Sequence, residues 1–191
     1  MTANTESLTV GAWAQGSLGR AVVSVLAGTI LLALSARVEI PFWPVPLNMQ
    51  TFVVLALGLV YGPVLGAATV LAYLGEGLMG LPVFAHGGGP AYLAGPTGGY
   101  LIGFVVAAWV AGQLAVRGWV RNPVTAIAAA FIANLVVYSF GVSWLAVVLG
   151  DLQKAIAVGV LPFLLGAALK IAGAGLLGYA FARTGRGRTA G

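Results

Sequence analysis

Long stretches of apolar and small residues, separated by short polar segments, dominate the chain from Leu18 onwards. Between Glu39 and Glu76 no residue is charged, and between Glu76 and Arg117 the only ionisable candidate near neutral pH is His86. Each of these gaps is long enough for two membrane spans of about 20 residues. The pattern therefore predicts an all-α membrane protein, in which about six transmembrane helices form a single bundle.

The apolar runs also predict where each span lies and how the chain is divided. The predicted spans are residues 18–36, 47–61, 63–78, 98–116, 124–145 and 161–182. Residues 1–17 are predicted as a polar N-terminal tail, residues 18–182 as the transmembrane domain, and residues 183–191 as a basic tail.

The composition supports a membrane protein and excludes several kinds of chemistry. Hydrophobic residues make up 60% of the chain and charged residues 7%, whereas roughly a quarter of the residues of soluble domains are charged. The mean hydropathy is +1.03. The absence of cysteine removes disulfides, thiolate catalysis and cysteine metal ligands, and a single histidine makes a histidine-rich metal site improbable. Neither a metal nor a cofactor is expected.

The charged residues are distributed unevenly across the predicted membrane. One side carries arginines only, namely Arg20, Arg117, Arg121, Arg183, Arg186 and Arg188. The other side carries Arg37, Glu39, Glu76, Asp151 and Lys154, whose net charge is near zero. The positive-inside rule then places both termini in the cytoplasm of a bacterial cell, across its cytoplasmic (inner) membrane. The net charge of +5 is thus explained by topology and lipid headgroups, and no nucleic-acid partner is expected.

Two loops on the predicted outer side are rich in proline and glycine. In EIPFWPVPLNMQTF the prolines enforce an extended backbone, and Trp43 is either an interfacial anchor or a wall of a binding site. The segment GLPVFAHGGGPAYLAGPTGGY lacks the lysine and hydroxyl that a phosphate-binding loop requires. It is better interpreted as a compact lid or re-entrant loop. His86 in this loop is either a solvated or capping group, or a ligand contact.

Lys170 is the most informative residue, because it lies within the last predicted span. A lysine at the centre of a membrane helix costs roughly 2.5 to 3.5 kcal/mol on insertion scales. Snorkelling of the ammonium to the interface is the simple explanation, but the distance from Lys170 to either end of its span is too long for a side chain to reach. We therefore predict that Lys170 faces a cavity and pairs with an anion, which is either a ligand carboxylate or a protein carboxylate such as Glu76 or Asp151.

A few other polar residues within the spans are candidate ligand contacts. Asn134 and Tyr138 are four residues apart and share one helix face, where they either bind a polar ligand group or join helices. Gln50 and Tyr100 stand at the starts of their spans and are weaker candidates. Together these residues predict a mostly apolar pocket with a few polar points, as small-molecule sites usually are.

Five segments, in this order and spacing, resemble the BioY family, the biotin-specific S components of energy-coupling factor (ECF) transporters. They are PVPLNMQTF, VYGPVLGAATVLAY, GLPVFAHGGG, GPTGGYLIGF and LPFLLGAALKIA. The resemblance covers about residues 38–172 and implies a six-helix bundle that captures biotin from outside. It also implies partners, namely a transmembrane T subunit and two cytosolic ATPases that use ATP. The S component itself is not an enzyme, which agrees with the lack of a phosphate-binding loop.

The resemblance gives Lys170 a role, because biotin has a carboxylate that needs a cation. The complete set of predicted binding residues is Lys170, Asn134, Tyr138, Glu76, Phe84, Tyr100, Trp43 and Gln50. The family pattern has an aspartate three residues before the lysine, and Ala167 stands in its place here. Weaker binding or altered specificity is one expected consequence, and compensation by Glu76 or Asn134 is another.

A face of small residues on the first span is the candidate partner-docking surface. It pairs Ser24 with Gly28 and Thr29 with Ala33, in place of the alanines that the family uses for contact with the T subunit. Small residues at this spacing permit close helix contact, either within the chain or with another subunit.

Two other classes of function remain open from the residues. One is a secondary transporter of a small carboxylate or related vitamin, in which Lys170 and Glu76 form a charge relay. The other is an intramembrane enzyme in which His86 and Glu76 act as acid and base, although no nucleophile with a paired base is identifiable by spacing.

Overall fold

The computed structural model describes Ala14, residues 16–41 and residues 43–187, without the side chains of residues 185–187. Most of the predicted N-terminal tail lies outside the described residues, as do Arg188 and the side chain of Arg186 in the predicted basic tail.

Helices account for most of the described chain. In chain order they are α1 (Leu18–Arg37), α2 (Gln50–Tyr61), α3 (Pro63–Leu78), α4 (Pro90–Ala94), α5 (Gly98–Val116), α6 (Pro123–Leu149), α7 (Leu152–Gly159) and α8 (Leu164–Gly187). The long helices pack against one another, and the short helices α4 and α7 lie in the connections between them. The predicted all-α bundle is confirmed, with the third and fourth predicted spans identical to α3 and α5.

Four segments are long and apolar enough to cross a membrane. They are Leu18–Arg37, Gly98–Val116, Pro123–Leu149 and the segment Leu152–Thr184, which joins α7 to α8. The apolar helices α2 and α3 are shorter, with 12 and 16 residues. The chain therefore has the dimensions and composition of a membrane protein.

A small β-hairpin replaces the start of the second predicted span. Strands β1 (Glu39–Ile40) and β2 (Leu47–Asn48) pair antiparallel, with Glu39 opposite Asn48. The helix begins only at Gln50, whose backbone N–H donates to Asn48 Oδ1 over 3.1 Å. The prediction of a helix from residue 47 was wrong, because the prolines of the preceding loop hold the backbone extended.

The two ends of the bundle differ in the size of their loops. The end that carries residues 38–49, 79–97 and 150–163, here called the hairpin end, has the hairpin, α4 and α7. The start of α7 is fixed by Asp151, whose Oδ1 accepts backbone hydrogen bonds from Gln153 and Lys154 at 2.8 and 3.1 Å. At the opposite end the connections between helices are short, at residue 62 and residues 117–122.

The last predicted span also begins later than expected. A single 3₁₀ turn at Leu161–Phe163 precedes α8, which then continues to Gly187. The helix thus extends into the segment predicted as a basic tail from residue 183.

The core lies along α5 and α6, where small side chains allow the backbones to approach closely. Both helices carry fully buried alanines, including Ala107, Ala108, Ala129 and Ala130. Because α5 also packs on α2 and α3, and α6 on α8, these two helices fix the position of the walls of any central cavity.

Part of the small-residue face of α1, predicted as a partner-docking surface, packs against the chain's own helices. Ser24, Gly28 and Thr29 are buried against the bundle, and Ala33 is half-buried. A Cβ atom on Gly28 would lie 2.4 Å from Cγ2 of Thr69 on α3, so only glycine permits this approach. Ser24, Gly28 and Thr29 are therefore in contact with the chain's own helices, and the docking of a partner on this face stays a prediction.

Candidate ligand-binding site

A cavity of about 620 Å³, including its open mouth, lies at the hairpin end of the bundle. Four helices supply its walls, and residues of the two long loops lie at the mouth. The lining helical side chains are Gln50 and Thr51 of α2, Tyr100, Leu101 and Phe104 of α5, Asn134, Val137 and Tyr138 of α6, and Ala167 and Lys170 of α8.

Lys170 is the only charged residue among those that line the cavity. Its Nζ donates a hydrogen bond to the backbone carbonyl of Asn48 in β2. Among the described residues, no carboxylate lies within 4 Å of the Lys170 ammonium, and the carboxylate of Glu39 is paired with His86. An ammonium has three donors, and the other two remain available to an anion in the cavity.

Asn134 and Tyr138 form one polar part of the wall, on adjacent turns of α6. Asn134 is buried, and Tyr138 one turn further along the helix is half-buried. Both groups line the cavity, so their amide and phenol are positioned to contact a polar group of a ligand.

Tyr100 and Gln50 also line the cavity, and each is tied to another part of the fold. The Tyr100 hydroxyl donates to the carbonyl of Gly159 at the end of α7, over 2.9 Å. The Gln50 side chain is buried and donates through Nε2 to the hydroxyl of Tyr73, over 2.6 Å. Both residues therefore have fixed orientations in the wall.

Phe84 and Glu76 do not line the cavity. Phe84 is fully buried between two aromatic rings, stacked on Tyr92 at 5.0 Å and edge-on to Tyr73 at 5.5 Å between ring centroids. Because Tyr92 lines the cavity, Phe84 supports the wall from behind. Glu76 is half-buried near the end of α3 and is absent from the lining.

An outer depression adjoins the cavity and shares Pro46, Tyr92 and Thr97 with it. Trp43, which is 76% exposed, and His86 line this depression. The depression therefore forms a vestibule to the cavity. Trp43 lies at the entrance, outside the ligand cavity itself.

Tyr92 occupies the boundary between vestibule and cavity. Burial is the main cause that raises the pKa of its phenol above the ordinary value, against the opposing effect of a hydrogen bond with Thr97. The phenol therefore stays protonated at physiological pH and keeps a proton to donate.

His86 joins the two loops that cover the vestibule. Its Nε2 lies 3.0 Å from Oε1 of Glu39, at the start of the hairpin. Glu39 Oε2 is buried and has no hydrogen-bond partner among the described residues. The predicted acid–base pair of His86 with Glu76 is therefore not formed, because the hairpin brings a different carboxylate to the histidine.

Several lining residues were missed by the sequence reasoning. Asn48, Thr51, Thr97 and Phe163 line the cavity but were not singled out. Asn48 lies two residues before Gln50, and this proximity to a predicted site residue could have indicated it as a lining residue. Ala167 also lines the cavity, so the position where the family pattern has an aspartate does face the site.

Comparison with known proteins identifies the family. The profile of the BioY family matches residues 5–187. The chain is 41% identical over 137 residues to the biotin transporter BioY of Thermotoga maritima, which covers 71% of this chain and 79% of that protein. It is 38% identical over 171 residues to the biotin transporter BioY of Rhizobium etli, which covers 83% of this chain and 90% of that protein.

A solved structure has the same fold. The crystal structure of the S-component for biotin from an ECF-type ABC transporter matches with a TM-score of 0.71 and 25% sequence identity, over 86% of this chain and 90% of that one. With a family profile that spans nearly the whole chain and relatives that match over most of their length, this chain belongs to the BioY family.

Proposed function

We propose that the chain binds biotin in the cavity at the hairpin end and serves as the substrate-capture (S) component of an ECF-type transporter. The observation that carries the proposal is a cavity at the hairpin end in which Lys170 is the single charged lining residue. The family and the matched S-component support the choice of ligand.

The chemistry of the cavity suits the parts of biotin. Apolar side chains such as Leu101, Phe104 and Val137 can pack against its fused rings and aliphatic tail. The amide of Asn134 and the phenol of Tyr138 can exchange hydrogen bonds with the ureido group. Lys170 supplies the cation for the carboxylate, and a charge-assisted hydrogen bond of this kind is stronger than a neutral one.

The orientation of the bundle follows from its charges. Arg20, Arg117, Arg121 and Arg183 all belong to the opposite end, away from the hairpin. By the positive-inside rule this end faces the cytoplasm, so the chain is a multi-pass protein of the bacterial cytoplasmic membrane whose cavity opens outside.

Partner subunits provide the energy for uptake in this proposal. The described chain consists of helices and the loops that connect them, and the matched structure is a component of an ABC-type transporter. A transmembrane T subunit and two cytosolic ATPases would therefore complete the transporter. Secondary transport by a relay of Lys170 and Glu76 is less favoured, because Glu76 does not line the cavity.

Two neighbouring alanines on α8 allow a matched test of the site. Ala167 is 8% exposed and faces the cavity, whereas Ala168 is exposed on the outside of the bundle. Saturable binding of labelled biotin to the detergent-purified protein is expected. Ala167→Phe fills the cavity and should abolish binding, while Ala168→Phe should retain it.

The competitor controls make this test specific. Unlabelled biotin should displace the label, and lipoic acid, a carboxylate of similar length without a ureido group, should not. A folded parent protein that shows no saturable binding would refute biotin as the ligand. Equal binding by Ala167→Phe and the parent would refute this cavity as the site.

A further inference from the structure

A line of hydrogen bonds runs from Lys170 in the cavity wall to the second outer loop. Lys170 Nζ donates to the backbone carbonyl of Asn48, and Asn48 Nδ2 donates to Gln50 Oε1 over 2.9 Å. Gln50 Nε2 donates to the Tyr73 hydroxyl over 2.6 Å, and that hydroxyl donates to the carbonyl of Val83 over 2.9 Å. Tyr73 is thus connected to Lys170 although it does not line the cavity.

The donors and acceptors in this line leave a single consistent orientation for each amide. The one proton of Tyr73 goes to the Val83 carbonyl, so its oxygen is free to accept from the Gln50 amide. This turns Gln50 Oε1 towards Asn48 Nδ2, and Asn48 Oδ1 then accepts from the backbone N–H of Gln50 over 3.1 Å. The Asn48 side chain is therefore held by two groups, the backbone N–H of Gln50 and the Gln50 amide that Tyr73 orients, while the backbone carbonyl of Asn48 accepts from Lys170.

Burial stabilises the side-chain orientations of Tyr73 and Gln50. Tyr73 is 0% exposed and Gln50 is 3% exposed, so water cannot replace a lost partner. A buried donor without an acceptor is costly, and the groups in such a network act together. Removal of the Tyr73 hydroxyl would leave Gln50 Nε2 without its acceptor, and the amide would reorient.

We propose that Tyr73 is a positioning residue for ligand binding, which acts through Gln50 and Asn48 to aim the Lys170 ammonium into the cavity. The proposal rests on the proposed function, since the ligand in its test is biotin. Tyr73 makes no contact with the ligand itself, because its side chain lies behind the wall. Its hydroxyl also ties the site to Val83, next to the Phe84 that supports Tyr92.

The test is a double-mutant cycle in biotin affinity, with Tyr73→Phe, Lys170→Met and the double variant. Tyr73→Phe keeps the ring against Phe84 and removes only the hydroxyl. It should weaken biotin binding about fivefold to thirtyfold, which is the range for the loss of one buried hydrogen bond. In the Lys170→Met background the same change should weaken binding by less than about twofold, because the group that it positions is gone.

Tyr61→Phe is the matched control, because the Tyr61 hydroxyl also donates to a backbone carbonyl, that of Ser24, over 3.1 Å but away from the cavity. It should change affinity by less than about twofold. Gln50→Met breaks the same line of hydrogen bonds at the next residue and should show the same non-additivity with Lys170→Met. It provides the test if Tyr73→Phe does not fold.

Each outcome has a distinct meaning. If the parent binds biotin and Tyr73→Phe weakens binding equally in both backgrounds, the hydroxyl has a general structural role and the positioning proposal is overturned. If Tyr73→Phe leaves affinity unchanged, it is overturned as well. If the parent itself does not bind biotin, the proposed function fails first, and the positioning role fails with it.

Discussion

Replacement of Lys170 by methionine should separate ligand binding from stability. Methionine has nearly the length of lysine and no charge, so the half-buried side chain still fills its place in the wall. The variant loses two interactions, namely the hydrogen bond to the Asn48 carbonyl and the charge offered to the ligand. The lost hydrogen bond affects the ligand-free protein, and the lost charge affects the complex with the ligand.

The two magnitudes can be derived from the contacts. A hydrogen bond that involves a charged group contributes about 1.5 to 3 kcal/mol, and 1.4 kcal/mol corresponds to a tenfold change in affinity. The affinity for biotin should therefore fall about 10- to 150-fold. Without ligand, one buried carbonyl loses its donor, but the ammonium no longer has to be desolvated. The free energy of unfolding should then stay within about 1 kcal/mol of the parent value.

Binding of labelled biotin and thermal unfolding of the ligand-free protein, both in the same detergent, measure the two effects. Lys154→Met is the control, since Lys154 is exposed on α7 and does not line the cavity. It should change neither quantity. Retention of full biotin affinity in Lys170→Met would refute the role of the ammonium. A loss of affinity that is matched by a similar loss of stability would show that the lysine is structural.

Three further substitutions test other features of the fold and the site. Gly28→Ala should destabilise the protein by about 1 to 3 kcal/mol, because its Cβ would lie 2.4 Å from Thr69 Cγ2, and a thermal unfolding curve measures this. Tyr100→Phe should cost about 1 to 3 kcal/mol in the same assay, because the carbonyl of Gly159 loses its donor. Ala167→Asp should tighten biotin binding about tenfold in equilibrium binding, since a carboxylate at this cavity position can accept from the ureido N–H groups.

A control substitution and the contradicting outcomes complete these tests. A Cβ on Gly75 meets nothing within 4 Å, so Gly75→Ala should be stabilising by about 0.5 to 1 kcal/mol. If Gly28→Ala behaves in the same way, the close contact of α1 with α3 is not needed. Unchanged or weaker biotin binding in Ala167→Asp would mean that the missing aspartate does not limit affinity.

The limits of sequence reasoning are visible at the ends of the elements. The spans predicted at residues 63–78 and 98–116 coincide with α3 and α5. Their apolar runs and the glycine and proline residues at their ends are local signals that the sequence alone displays. The start of α2 was placed too early, since the apolar pattern does not distinguish a short strand from a helical turn. The helix α7 was missed, although Asp151 is a typical N-cap residue.

The sequence by itself determined that the chain enters a membrane and roughly where its helices lie, and it singled out Lys170 as a charge within a span. These conclusions depend on the free energy of single residues in lipid and on local backbone preferences, which the order of residues is sufficient to specify. The resemblance carried by five short segments also led to the correct family.

Only the tertiary structure decided which groups meet. The carbonyl that holds Lys170 belongs to a residue 122 positions away, and His86 is paired with Glu39 instead of Glu76. Part of the small-residue face of α1 packs against the chain's own helices. Such contacts depend on the rotation of each helix about its axis and on the path of the loops, which are set by the packing of the whole bundle and by no single segment.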